Sequence, residues 1–397
     1  MSETPPLHLA VALDGAGWHP AAWRAPDARP DSLFTAAYWL DLVREAERGL
    51  LDFVTIEDSL GPQSSVFHQA DDRTDQVRGR LDAVLIAARV APLTRHIGLV
   101  PTGVVTHTEP FHLAKAIATL DYVSTGRAGW RLQISPKAGE AAHFGRRDIP
   151  VIRARERQLP WADAILTDLF DEAADYAEVV RRLWDSWEDD AEIRDAATGR
   201  FIDRNRLHYI DFAGRWFSVR GPSITPRPPQ GQPLVTALAH HTVPFRLGAR
   251  AADVVYVTPV DADHARAIVA EIRAEQDAAG RAADTVHVFG DLVVFLDETK
   301  TDRRARWDEL AGKPYKSDAL IFAGTAAELV DLLLDWQDAG LSGFRLRPAG
   351  LPHDLTAIVD HVVPELQRRG RFRGHYEADT LRGLLGLPRP ANRYAVA

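Results

Sequence analysis

His96-Ile-Gly-Leu-Val100, then Phe111-His-Leu-Ala-Lys-Ala-Ile-Ala-Thr-Leu-Asp-Tyr-Val123, then Ala128-Gly-Trp-Arg-Leu-Gln-Ile134 set the pattern that decides the fold. A short apolar run, an amphipathic stretch of helical length and a second apolar run form one βα unit feeding a parallel strand. The pattern extends in both directions. Further strands are expected at Leu7 to Leu13, Asp52 to Ile56, Pro233 to Leu238, Asp253 to Val257, Val286 to Phe295 and Gly343 to Leu346. Helices are expected at Thr35 to Arg48, Gly79 to Val90, Asp168 to Trp187, Pro244 to Ala251, Ala262 to Ala279, Ala326 to Ala339 and Leu355 to Arg369. In Asp168 to Trp187 the residues Leu169, Ala173, Tyr176, Val180, Leu183 and Trp187 form one apolar stripe at spacings of three and four. Thr325 and Glu328 make a capping box, and Gly340 ends that helix.

Eight such units predict a (β/α)8 TIM barrel in the α/β class, with a doubly wound open sheet as the competing topology. The chain of 397 residues exceeds the roughly 250 of a minimal barrel. Insertions account for the excess: Ser135 to Thr167 after strand four and Glu188 to Gln232 before strand five, within one barrel domain spanning 1–397.

Composition narrows the chemistry. The chain is 46% hydrophobic and 26% charged, which suits a folded core and excludes a mainly disordered chain. A net charge of −9 attracts neither nucleic acid nor anionic membrane. Without cysteine there are no disulfides, thiolate metal sites or cysteine nucleophiles. The N-terminus Met1-Ser-Glu-Thr-Pro-Pro6 has neither the basic nor the apolar region of a secretion signal, so a cytoplasmic protein is expected.

Signatures of dinucleotide, P-loop, zincin and hydrolase chemistry are missing. Residues just after the strands are therefore the candidates, because barrel chemistry sits there. Trp18, His19 and Trp23 follow strand one; they either line a pocket or simply pack. Glu57 and Asp58 end strand two, as ligand-orienting carboxylates or as a cap or loop salt bridge. His240 and His241 follow strand five and diverge too much to share a metal, which leaves a polar loop or an anion contact. Arg153, Arg155 and Arg157 read as a solvated face or as anion steering.

Several blocks resemble the bacterial luciferase-like flavin monooxygenases, in the branch of the nitrilotriacetate, long-chain alkane, dibenzothiophene-sulfone and pristinamycin-type enzymes. They are His19-Pro-Ala-Ala-Trp-Arg24, Phe53-Val-Thr-Ile-Glu-Asp-Ser-Leu60, Glu109-Pro-Phe-His-Leu-Ala114 with Ala118 to Trp130, Val179 to Asp190, Phe217 to Pro222 and Pro364 to Gly370. The resemblance implies the same barrel. It also implies reduced FMN supplied by a separate NAD(P)H:flavin reductase, O2, a small organic substrate and a homodimer. By the same resemblance Asp58, Thr102, Trp130 and Ser135 match residues near the flavin, and His240 or His241 would contact its phosphate. His19, His107 and His143 are candidate acids or bases by location only.

The chain also departs from that pattern. Arg131-Leu-Gln-Ile-Ser135 replaces Asn-Val-Val-Thr-Ser, and Leu166-Thr-Asp-Leu-Phe170 stands where the family carries His-Asp-x-Arg-Tyr. In Ala237-Leu-Ala-His-His-Thr-Val-Pro244 the glycines and serine of the phosphate loop are gone. Two alternatives follow: a deazaflavin cofactor in the same cavity, or a catalytically silent partner subunit that uses none.

Overall fold

The computed structural model describes residues 6–66, 69–297 and 302–395. Residues 1–5, most of the N-terminal segment read above, lie outside the described residues. All eight expected strands form: β1 (His8–Leu13), β2 (Phe53–Ile56), β3 (Gly98–Val104), β4 (Gly129–Gln133), β5 (Leu234–Leu238), β6 (Val254–Val257), β7 (His287–Leu296) and β8 (Gly343–Pro348). Neighbours pair in parallel around the ring, His8 of β1 lies opposite Gly343 of β8, and Val254 of β6 opposite His287 of β7. The sheet closes. This excludes the open doubly wound alternative.

Both faces of a closed parallel sheet are covered, which is why β6 reads Val-Val-Tyr-Val and is buried throughout. Side chains facing the axis fall into two layers. At the N-terminal end, Ala10, Phe53, Val100, Leu234 and Phe289 pack with Leu381, Leu385 and Leu387, so the C-terminal segment plugs the bottom. Toward the other end the axis is polar, with Thr55, Thr102, Arg131, Asp291 and Arg345 all buried.

The longer helices are α1 (Ala36–Arg48), α2 (Ala83–Val90), α3 (Pro110–Val123), α4 (Ala138–Phe144), α5 (Pro160–Asp185), α6 (Thr242–Ala251), α7 (Ala262–Ala278), α8 (Arg303–Leu310) and α9 (Ala326–Asp338); of these α4 and α8 belong to the loops after β4 and β7, and the others to the outer layer. The structure corrects several boundaries. The helix expected from Asp168 begins at Pro160, because proline suits a first turn and Ala162 and Leu166 prolong the buried stripe. The helix expected from Leu355 begins at His353 and takes a π-helical turn at Ile358–Val362, just ahead of Pro364, which has no N–H to give. The Glu188 to Gln232 excursion is ordered as two small antiparallel hairpins, Glu192–Asp195 with Arg200–Ile202 and Phe212–Ala213 with Ser218–Val219.

A ninth strand, Leu320–Gly324, has no counterpart in the sequence reading. Five apolar residues directly before a helix cap cannot be told from helix entry by periodicity. It pairs in parallel with the upper half of β7, Leu292 opposite Leu320, beyond the point where β6 stops. The expected cap follows it: Glu328 N donates to Thr325 Oγ1 at 3.3 Å, and Thr325 N donates to Glu328 Oε2 at 3.0 Å. Thr325→Ala is expected to cost about 1 kcal/mol, measured as a lower urea midpoint at unchanged slope.

Candidate functional site

The loops after the strand C-termini enclose two cavities. The larger, about 1240 Å³, lies among the loops after β1, β2 and β4 and the segment following α8; Trp18, His19, Arg80, Lys137, His143 and Tyr315 belong to its wall. The smaller, about 230 Å³, lies between the ends of β4 and β5 and the first half of α5; Arg131, Gln133, Arg157, Phe170 and His240 line it.

His19 is almost fully buried. Its Nδ1 accepts the Ala21 N–H at 3.1 Å, so Nε2 carries the proton and donates to Asp308 Oδ1 at 3.2 Å. Burial, only partly opposed by Asp308, lowers its pKa and holds it neutral. Asp308 Oδ1 also accepts the Tyr315 N–H at 2.7 Å. The imidazole thus ties the β1 loop to the far wall of the cavity. His143 is exposed on the opposite wall. His107 is set apart, buried and stacked on Phe144 at 5.3 Å, with Nε2 lacking a partner among the described residues. Burial, with Arg147 nearby, lowers its pKa.

Asp58 resolves into a loop brace. Its Oδ1 accepts the Ser59 N–H at 2.7 Å and its Oδ2 accepts the Ala83 N–H, the first of α2, at 2.9 Å. Burial raises its pKa, partly offset by those two bonds. Ser135 does not stand alone either. It donates to buried Glu140 Oε2 at 2.5 Å, Ser59 donates to Glu140 Oε1 at 2.6 Å, and Lys137 Nζ donates to the same oxygen at 2.7 Å. Burial opposes ionisation of Glu140, but these donors win and lower its pKa.

Strand parity separates Thr102 from Trp130. Thr102 faces the axis, where Oγ1 accepts from Arg131 Nη1 at 3.1 Å. Trp130, adjacent to Arg131, points the other way, packs on Tyr176 of α5, and donates Nε1–H to Gly103 O at 3.2 Å. It belongs to the core between barrel and helices, away from both cavities. The reading that placed it beside the flavin is therefore not what the strand geometry supports.

On the axis, the carboxylates Glu57, Asp291 and Asp318 interleave with the guanidinium groups of Arg131, Arg345 and Arg347. Arg131 Nη1 lies 3.1 Å from Glu57 Oε2, and Arg345 Nη1 donates to Glu57 Oε1 at 3.1 Å. Arg345 also spans both oxygens of Asp291, at 2.9 and 2.6 Å. Arg347 Nε donates to Asp291 Oδ2 at 3.0 Å and Nη1 to Asp318 Oδ1 at 2.6 Å. Three charges of each sign cancel. The sequence signal was Phe344-Arg-Leu-Arg347, since i and i+2 on a strand share a face. Among the open readings of Glu57, the salt bridge is the one observed.

The histidine pair diverges as expected. His240 Nδ1 lies 3.0 Å from Thr258 Oγ1, and Nε2 lies 3.4 Å from Asp318 Oδ2. His241 is the exposed N-cap of α6, and its Nε2 lies 3.3 Å from Arg157 Nη2. Arg157 therefore separates from the exposed Arg153 and Arg155, and only it lines the smaller cavity. Pro244 stands in the first turn of α6, which removes one N–H from that end. Partial desolvation by the surrounding loops, with the positive charge of Arg157 beside them, lowers the pKa of both histidines.

Comparison with known proteins places this geometry. The sequence profile of luciferase-like monooxygenases matches residues 16–329. The chain is 29% identical to nitrilotriacetate monooxygenase component A of Aminobacter aminovorans, over 100% of this chain and 99% of that protein. It is 30% identical to N-acetyl-S-(2-succino)cysteine monooxygenase of Bacillus subtilis, over 99% of each. A crystal structure of riboflavin lyase with modified FMN and riboflavin superposes with a TM-score of 0.81 at 25% identity, over 96% of each chain. With a closed barrel, cavities at its C-terminal mouth and a profile match over most of its length, the chain belongs to the luciferase-like monooxygenase family of oxidoreductases.

Proposed function

We propose that the chain is a monooxygenase that uses reduced FMN from a separate NAD(P)H:flavin reductase, with O2 and a small organic substrate. One observation carries the reading. The donor side chains of Arg131, Gln133 and Arg157 line the smaller cavity together, between apolar Leu132, Leu166 and Phe170. Donors gathered around one cavity favour a ligand that carries matching acceptors there.

The donor set suits reduced FMN, whose ring edge carries carbonyl oxygens and negative charge and whose tail ends in phosphate. Arg131 and Gln133 would hold that edge, with Thr102 fixing the Arg131 guanidinium. Arg157, His241 and the first N–H groups of α6 would hold the phosphate, in place of the family's glycines and serine. Apolar Leu132, Leu166 and Phe170 between them restrict water. When bound, reduced FMN supplies the electrons that allow one atom of O2 to enter the substrate while the other leaves as water. The chain's share is to bind, orient and keep water out, with neutral His19 bracing the cavity beside it.

Anaerobic titration with reduced FMN, followed by fluorescence, tests this. Micromolar binding is expected, weakened about tenfold by His241→Ala and again by Arg157→Ala, as loss of a partly exposed charge-assisted contact predicts. Absence of saturation, or two variants indistinguishable from the parent, refutes it.

A further inference from the structure

Lysine is scarce in this chain: Lys115, Lys137, Lys300, Lys313 and Lys316 are all there are, against many arginines. Three of the five, Lys137, Lys313 and Lys316, line the larger cavity. Its other charges cancel in pairs, Arg80 with Asp14 at 2.8 Å and Lys137 with Glu140 at 2.7 Å. Lys313 and Lys316 are exposed, and among the described residues no carboxylate pairs with either. Asp318, two positions on, is turned to Arg347 instead. Hence a chain of net charge −9 presents two uncompensated ammonium groups at the mouth of this cavity, beside the aromatic rings of Trp18, Trp23 and Tyr315.

We propose that the larger cavity takes a small organic dianion, an apolar body bearing two acidic groups, with Lys313 and Lys316 meeting its charges. The inference rests on reading this cavity as the substrate's. Lysine on a flexible stem is suited to anions of variable geometry, and a cationic mouth on an acidic protein concentrates such ligands locally.

Isophthalate and its uncharged diamide, isophthalamide, are the probes, titrated calorimetrically into the flavin-free protein. Isophthalate is expected to bind at least tenfold more tightly than the diamide, and to weaken as salt rises. The Lys313→Gln, Lys316→Gln double variant is expected to lose about tenfold in isophthalate affinity at unchanged melting temperature, since both residues are exposed. Equal affinity for the two probes, an unaffected double variant, or no saturable isophthalate binding overturns the proposal. Because no flavin is present, a failure here leaves the FMN titration untouched, and a failure there leaves this result standing.

Discussion

Asp291→Ala is expected to destabilise the protein by about 3 to 5 kcal/mol, the largest stability loss predicted for a change of one polar residue here. The carboxylate is fully buried and receives Arg345 at 2.9 and 2.6 Å and Arg347 at 3.0 Å. Without it, three guanidinium groups on the axis face only Glu57 and Asp318, so one buried cation is left unmatched. Stacking cannot make up the difference. Arg345 lies 4.2 Å from the Tyr256 ring centre and Arg347 4.5 Å from that of Trp18, but these contacts do not involve Asp291 and are present before and after the substitution alike. Burial opposes ionisation of Asp291, but Arg345 and Arg347 outweigh it and hold its pKa low. A depressed folded-state pKa stabilises above the unfolded value of about 4 and fails as pH falls through the folded value. The loss in Asp291→Ala should accordingly be full at pH 7 and shrink on acidification. Urea unfolding at several pH values measures it. A loss under about 1 kcal/mol at neutral pH would mean that the network is not coupled as the distances imply.

Trp130→Ala is expected to cost about 3 to 5 kcal/mol while leaving FMN affinity unchanged within a factor of about two. The indole is fully buried, packs on Tyr176, and fills the space that keeps residue 103 a glycine: a Cβ there would come within 2.7 Å of Trp130 Nε1. Truncation leaves a cavity between β4, α3 and α5 that rigid strands cannot close. Thermal unfolding and the fluorescence titration separate the two roles. If flavin affinity collapses while stability holds, the ring acts at the cofactor after all.

Trp130 also illustrates what the sequence could convey. Alternation of apolar runs and helical stretches is local, so eight strands and the closed barrel were legible from β1 to β8. Which face a strand residue takes is set by register with its neighbours, and a family match at Trp130 carried no such information. Arg345 and Arg347 had the opposite problem: their i, i+2 spacing was visible, but the acids that neutralise them come from β7, the β2 end and the stretch before Leu320–Gly324. Loop residues fared similarly. His19, Asp58 and Ser135 lie where barrel chemistry predicts, yet their partners Asp308, Ala83 and Glu140 were not readable, the first being 289 positions away. Arg157, by contrast, was hidden in a run of three arginines until the fold set it against His241.

The ninth strand makes the two banks of the larger cavity mechanically unequal. One bank, 311–316, is moored at one end through Asp308 to His19 and at the other by the ladder from Leu320 to β7. Displacing it means breaking sheet bonds inside the barrel wall. The bank after β2 has no helix or strand among its described residues before α2; it is held by half-exposed pairs, such as Arg73 with Asp75 at 2.6 Å, and by Arg73 Nη2 donating to Ala311 O at 2.8 Å across the cavity. Solvent screens pairs of that kind, so each adds little. Opening the cavity on the β2 side would therefore cost exposed pairs and single hydrogen bonds, whereas opening it on the other side would cost part of the barrel wall.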